Sequence, residues 1–223
     1  QPAGAGGADL RDLPRLTGGR LVAADIADQE LVLPAALDDN QRALRAAREL
    51  LEGARVVRLL AMGSSRHAAG YGAQCLDVLG RLPATVLPAP GAAVALPRFG
   101  SQTPVVALSQ SGRTPALIDA AARARAAGSA VVAVTNAADS PLEELADVTL
   151  RCGAGEERVV AATKSVTAQA VLLRALAAPY DGSPLWRAVD HALRTGLDDV
   201  VAGHPPAAIV CGGFAAEWIA DEI

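Results

Sequence analysis

The feature that most constrains this chain is a unit that recurs along it: a short run of Val, Leu and Ala, a turn rich in Gly and Ser, then a stretch of helical length. Val56-Val57-Arg58-Leu59-Leu60-Ala61 runs into Gly63-Ser64-Ser65 and an amphipathic segment reaching about Gly80. Ala84 to Leu87 is a short second strand, and Val105-Val106-Ala107-Leu108 is a third. The third leads through Ser109-Gln110-Ser111-Gly112-Arg113-Thr114 into a helix from Pro115 to Ala127. Ala130 to Thr135 and Val148-Thr149-Leu150 complete the set, and the helix between them opens with a serine cap and a proline at its first position, Ser140-Pro141. Apolar strands without an alternating polar face are buried on both sides, and strands joined by helices run parallel. The expected fold is therefore α/β, an open doubly wound parallel sheet of five strands.

Around this unit the chain divides further. Residues 1–39 read as an N-terminal arm, rich in Gly, Pro and Arg to about residue 20, and an entry helix; from Ala27 to about Leu51 a loose helical stripe of Leu31, Leu33, Leu37, Leu44, Leu50 and Leu51 is interrupted at Pro34. Residues 40–178 form the α/β domain. Residues 179–206 form a connecting helix and linker, with Trp186, Val189, Leu193, Leu197 and Val200 on one face and Gly203-His204-Pro205-Pro206 at its end. A fresh strand, Ala207 to Cys211, then meets Gly212-Gly213 and a new helix, so residues 207–223 read as the start of a second, similar domain. The expectation is a longer protein that continues beyond Ile223.

Composition removes several classes of function. At 223 residues the chain is long enough for a core without disulfides or structural metal. Its net charge of −4 argues against a general nucleic-acid or membrane-surface binder. Every apolar run is broken before the roughly 18 residues that a membrane span needs. The first residues show no secretory signal, which leaves a cytoplasmic expectation. Cys75, Cys152 and Cys211 lie far apart without metal-ligand spacing, so no metal or disulfide framework is expected. Of the 20 basic residues only Lys164 is lysine, the other 19 being arginine, which singles it out for something a guanidinium does not do.

In an open parallel sheet, ligands sit beyond the carboxyl ends of the strands, and two of those ends here are dense in hydroxyls. Gly63-Ser64-Ser65 and Ser109 to Thr114 each supply side-chain hydroxyls, backbone N–H groups and the positive end of a helix dipole, which together suit a phosphate. One serine turn alone is an ordinary helix cap. Two such turns, with three hydroxyls within six residues of one of them, go beyond capping. Nucleotide motifs fit worse: there is no GxxxxGK[ST], and Gly153-Ala154-Gly155-Glu156-Glu157 puts carboxylates where a pyrophosphate would lie. Ser65 and His67 lack a nucleophile elbow, and His191 and His204 occupy polar or linker positions. The segment from Gly153 to Ser165 carries carboxylates, Arg158 and Lys164 into a helix start, which is compatible with a self-neutralising charged loop.

Taken in order, Gly63-Ser64-Ser65, Ser109-Gln110-Ser111-Gly112-Arg113-Thr114 and Ala154-Gly155 through Ala162-Thr163-Lys164 resemble the sugar isomerase (SIS) domain. The likeness is greatest to the isomerase half of glucosamine-fructose-6-phosphate aminotransferases, and Asp25-Ile26-Ala27-Asp28-Gln29 is similar to the segment that leads into that half. The resemblance spans about residues 22–223 and implies a flavodoxin-like SIS fold, with Ser65, Ser109, Gln110, Ser111 and Thr114 at a sugar phosphate. It further implies that Val160, Glu157 and Lys164 lie on the sugar side, and that the partner is a hexose or aminohexose 6-phosphate handled without a cofactor by a homodimer. The family's proton-transfer glutamate follows an Ala-Leu-Lys-Leu-Lys-Glu pattern in the second domain, which places it beyond Ile223 and leaves Glu157 as the candidate within this chain. The residues read here show no glutaminase pattern with its N-terminal cysteine, so glutamine-dependent synthesis is not expected. The expected activity is therefore that of a phosphosugar isomerase or aminosugar-phosphate deaminase, moving a proton between C1 and C2. The alternative is a non-catalytic sugar-phosphate-binding regulator, a class that usually carries a DNA-binding helix-turn-helix ahead of the domain, a pattern that the Gly-rich first residues read here do not show.

Overall fold

The computed structural model describes residues 18–89, 100–158 and 162–179. Helices α1 (Gly18–Asp39) and α2 (Gln41–Leu51) lead into β1 (Val57–Ala61), α3 (Ser65–Val78), β2 (Ala84–Pro88), β3 (Val105–Ser109), α4 (Pro115–Ala126), β4 (Val131–Thr135), α5 (Pro141–Leu145), β5 (Val148–Arg151) and α6 (Lys164–Ala177). The five strands form one sheet in the order β2-β1-β3-β4-β5, every pair parallel. The connecting helix and second domain read at 179–206 and 207–223 lie outside the described residues, apart from position 179.

Alternation along the strands separates two cores. Leu59, Ala61, Val106, Leu108, Val132, Val134 and Leu150 face one side, where α2, α3 and α6 supply Leu44, Leu51, Leu76, Leu172 and Leu176. Leu60, Val105, Ala107, Val131 and Ala133 face the other side, against Leu117, Ala120, Ala121 and Ala124 of α4 and Leu142 of α5. β3 and β4 are buried at every position, as continuous apolar strands of a doubly covered sheet must be. Serine-proline initiation of α5 also forms: the Ser140 hydroxyl accepts the Glu143 N–H, and Pro141 sits at the first helical position.

One expectation is corrected here. Pro34 does not interrupt the first helix, which runs unbroken from Gly18 to Asp39. Pro34 is exposed, and so is Glu30, whose carbonyl forgoes a partner. A proline on the solvent side of a helix leaves that carbonyl open to water, so its cost is tolerable there. The long helix packs along α6, the last helix described. Asn40, between α1 and α2, closes the β5 edge with its side chain. Its Oδ1 accepts the Arg151 N–H at 2.8 Å, and its Nδ2 donates to the Arg151 carbonyl at 2.8 Å. A single amide thus occupies backbone groups that would otherwise template another strand.

Helices α3 and α6 cross closely at Gly72, where a Cβ would fall 2.5 Å from Leu173 Cδ1 and 2.8 Å from Leu173 Cβ. Rotating Leu173 relieves the first clash but not the second. Gly72→Val is therefore expected to destabilise the fold by roughly 2 kcal/mol through overpacking, read as a lower urea midpoint with an unchanged slope. A stability equal to wild type would mean that the two helices do not meet this tightly.

Candidate functional site

A sheet ordered 2-1-3-4-5 reverses its winding between β1 and β3, so the connections leaving those two strands diverge and open a crevice at their carboxyl ends. A cavity of about 180 Å³ lies there, lined by Met62, Ser64 and Ser65 after β1, Leu108 to Ser111, Thr114 and Leu117 around the β3 turn, and Ala162 and Val166 at the start of α6. Ser65, Ser109, Gln110, Ser111 and Thr114, the five residues singled out for phosphate, thus come together around one space. A wider cavity of about 500 Å³ adjoins it, sharing Met62 and Ser64 and adding Gly63, Arg66, His67 and Pro88.

The geometry of the β3 turn is held from several directions. Ser109 Oγ accepts the Gly112 N–H at 3.1 Å and shares a 3.0 Å hydrogen bond with Thr114 Oγ1. Ser111 Oγ accepts the Arg113 N–H at 3.3 Å. The Gln110 carbonyl accepts the Asn136 N–H at 3.1 Å, which ties the turn to the end of β4, and the Gly112 carbonyl accepts the Leu142 N–H at 3.1 Å, which ties it to α5. Glycine is required at 112, because φ is +60° and a Cβ would overlap the Ser140 side chain. Ser64 and Thr114 are the residues preceding α3 and α4, yet neither caps its helix through its side chain. The capping alternative therefore does not account for these hydroxyls, whereas Ser140 shows what a capping serine does in the same fold.

No acidic or basic side chain lines the smaller cavity among the described residues. An anion there would meet hydroxyls, an amide and two helix N-termini, a neutral donor set that binds without competing counter-charges.

Glu157 and Lys164 are placed differently, and neither is among the residues lining that cavity. Glu157 Oε1 accepts the Ser165 N–H at 2.8 Å, the Ser165 hydroxyl at 2.5 Å and the Thr163 N–H at 3.2 Å, so its carboxylate caps α6 at the positive end of the helix dipole. Lys164 is only 3% exposed, and its ammonium lies 3.1 Å from both Asp25 Oδ1 and Asp28 Oδ2 of α1. Arg158 joins the same carboxylates, at 2.8 Å and 2.9 Å. Val160 lies outside the described residues.

Burial opposes the charge on Asp25, but the Arg158 backbone N–H and the Lys164 ammonium outweigh it and hold the carboxyl below its ordinary value. Asp28 is lowered first by its hydrogen bond from Lys164, against a smaller effect of burial. Burial likewise works against the Lys164 ammonium, and the two aspartates overcome it, so its pKa is raised. Composition signalled Lys164 but not its partners, which stand more than 130 residues away in the chain. Asn136 was also invisible in the sequence. Its amide donates to the Gly155 carbonyl at 2.6 Å and accepts the Ala154 N–H at 2.8 Å, fixing the chain after β5.

The SIS domain family matches residues 50–179, more than half of the chain. The isomerizing glutamine–fructose-6-phosphate aminotransferase of Aeropyrum pernix is 39% identical over 134 residues, 60% of this chain and 22% of that protein. Its counterpart in Thermococcus kodakarensis is 32% identical over 154 residues, 69% of this chain and 26% of that protein. The chain thus spans about a quarter of the length of these curated relatives. Among solved structures, a Silicibacter pomeroyi protein assigned as a phosphosugar isomerase superposes with TM-score 0.67 at 30% identity, covering 78% of this chain and 55% of that one. The Vibrio vulnificus NanR protein complexed with ManNAc-6P superposes with TM-score 0.64 at 20% identity, over 83% of this chain and 70% of that one, a likeness of fold.

A lysine pKa raised by folding contributes stability that is complete below its ordinary value of 10.5 and is lost as pH climbs through the raised value. Lys164→Met is therefore expected to cost about 3 kcal/mol or more at neutral pH, because it leaves the buried Asp25 with one partner fewer. The gap to wild type should narrow as pH rises above 10.5. Urea midpoints of both proteins across this range check it, and a gap that is constant with pH would contradict the assignment.

Proposed function

The chain belongs to the SIS domain family, and on that footing we propose that it binds a hexose or aminohexose 6-phosphate. The phosphate would lie between the Ser65 turn and the loop from Ser109 to Thr114. The observation that carries this reading is the set of hydroxyls gathered at the β1/β3 crevice without capping duty on Ser64 or Thr114. Donors already fixed by their own network lose little freedom when a ligand arrives, which favours a small, strongly charged group. The sugar would extend toward the chain after β5, the segment that holds Glu157, Val160 and Lys164. There Glu157 and Lys164 would act by supporting that segment through the α6 N-terminus and through α1.

The reaction we propose is that of a phosphosugar isomerase or aminosugar-phosphate deaminase: ring opening, then proton movement between C1 and C2 by a general base. The names of the relatives support this class, and a hydroxyl-lined cavity suits the binding half of the task. The base itself is not among the described residues lining the smaller cavity. We assign it to a second, similar SIS domain in the complete protein, with a homodimer bringing sites together. That same lack of a titratable group favours a second reading, a non-catalytic sugar-phosphate-binding module, for which the NanR complex offers a likeness of fold. Measured on the complete protein, solvent deuterium appearing at C1 of fructose 6-phosphate or at C2 of glucosamine 6-phosphate marks the enzyme, and tight binding without exchange marks the module.

Ser111→Ala removes one hydrogen bond to a charged group, about 1.5 to 3 kcal/mol, and is expected to weaken sugar-phosphate affinity roughly tenfold or more. Calorimetry with glucosamine 6-phosphate reads the change. Unchanged affinity in both Ser111→Ala and Thr114→Ala would refute the phosphate site.

A further inference from the structure

The charged cluster at Asp25, Asp28, Arg158 and Lys164 bridges α1 and the connection between β5 and α6. Asp25 is fully buried and Lys164 nearly so, while Asp28 and Arg158 are about two-fifths exposed. Burying such charges is costly, and apolar residues of similar volume often pack as stably or more so, so the cluster is weakly explained by stability alone. What a charged cluster adds is a single permitted arrangement. Here the two aspartates grip the connection at two points. Asp25 Oδ2 accepts the Arg158 backbone N–H at 2.9 Å and Asp25 Oδ1 meets the Arg158 guanidinium at 2.8 Å, while both aspartates hold the Lys164 ammonium at 3.1 Å.

Lys164 begins α6, and the residues directly around it, Ala162 and Val166, form one wall of the cavity at the β1/β3 crevice. The opposite wall is made by the serine turns at the sheet's carboxyl edge, and the turn after β3 is tied to the end of β4 and to α5. Asn136 joins that turn to the chain after β5, and the ion cluster adds a hold from α1 on the α6 side. We propose that the Asp25–Asp28–Arg158–Lys164 cluster is a clasp that sets the α6 wall against the serine turns. Asp25 and Asp28 of α1 are then positioning residues for the sugar portion of the ligand, although they lie outside the matched 50–179 region. The sole lysine fits this role, since a compact ammonium reaches two carboxylates at once from a buried site where a planar guanidinium would need more room. The inference rests on the sugar-phosphate reading for the identity of the ligand, and on geometry alone for the clasp.

Asp28 is the partner to alter, because its carboxylate is partly exposed and the buried Asp25 keeps both cations. In Asp28→Asn, glucosamine 6-phosphate affinity is expected to fall about tenfold while inorganic phosphate, held by the serine turns, changes by no more than about twofold. Asp28→Glu restores most of the loss. Amide hydrogen exchange over residues 152–158 should quicken in Asp28→Asn while the strands keep their protection. A merely destabilising role would weaken both probes together and loosen the strands as well, and that result overturns the proposal. So does unchanged exchange over residues 152–158. If the wild-type chain takes up neither probe, the sugar-phosphate reading falls and exchange alone decides the clasp.

Discussion

A parallel sheet with both faces covered must place its connections above the strand ends, and where the winding reverses, two of them part. In this chain the reversal falls between β1 and β3, and both connections are short, rich in serine and rooted in strands with no exposed position near the turn. The crevice is thus a consequence of strand order before any side chain is considered. The hydroxyls gain their precision from the same source: Ser109 ends a fully buried strand, and the turn after it is tied to β4 and α5 by backbone bonds.

The chemistry around the crevice is divided between neutral and charged groups. Within the small cavity the donors are hydroxyls, an amide and helix termini, so a bound phosphate would keep its charge facing dipoles rather than a cation. The charged residues of the chain after β5 instead face α1 and the start of α6. Glu157 satisfies the α6 N-terminus in place of Thr163, whose side chain makes no cap, and Lys164 is held in a buried ion cluster. The proposed binding role and the supporting role thereby fall to different residue types.

Much of this was legible in the sequence because it depends on local pattern. Each of the five strands lies where a Val/Leu/Ala run predicts it, to within a residue or so at the ends, and the five proposed phosphate residues share a cavity because each follows directly from a strand end. What was not legible depends on contacts distant in sequence. That Glu157 would cap α6, that Lys164 would pair with Asp25 and Asp28, and that Asn40 would close the β5 edge all require knowing which segments meet. Lys164 stood out by composition, but rarity identifies a residue without identifying its partner. Pro34 misled for the opposite reason, since a local rule about helix interruption yields where the proline faces solvent and the helix is held by packing along α6.

The central claim is that the β1/β3 crevice holds a phosphate through Ser65, Ser109, Gln110, Ser111 and Thr114. A crystal structure of the chain with glucosamine 6-phosphate tests it most directly. The account predicts the phosphate within hydrogen-bond distance of these hydroxyls and the sugar directed toward Ala162 and Val166. A ligand seated elsewhere, with the crevice empty, would contradict it.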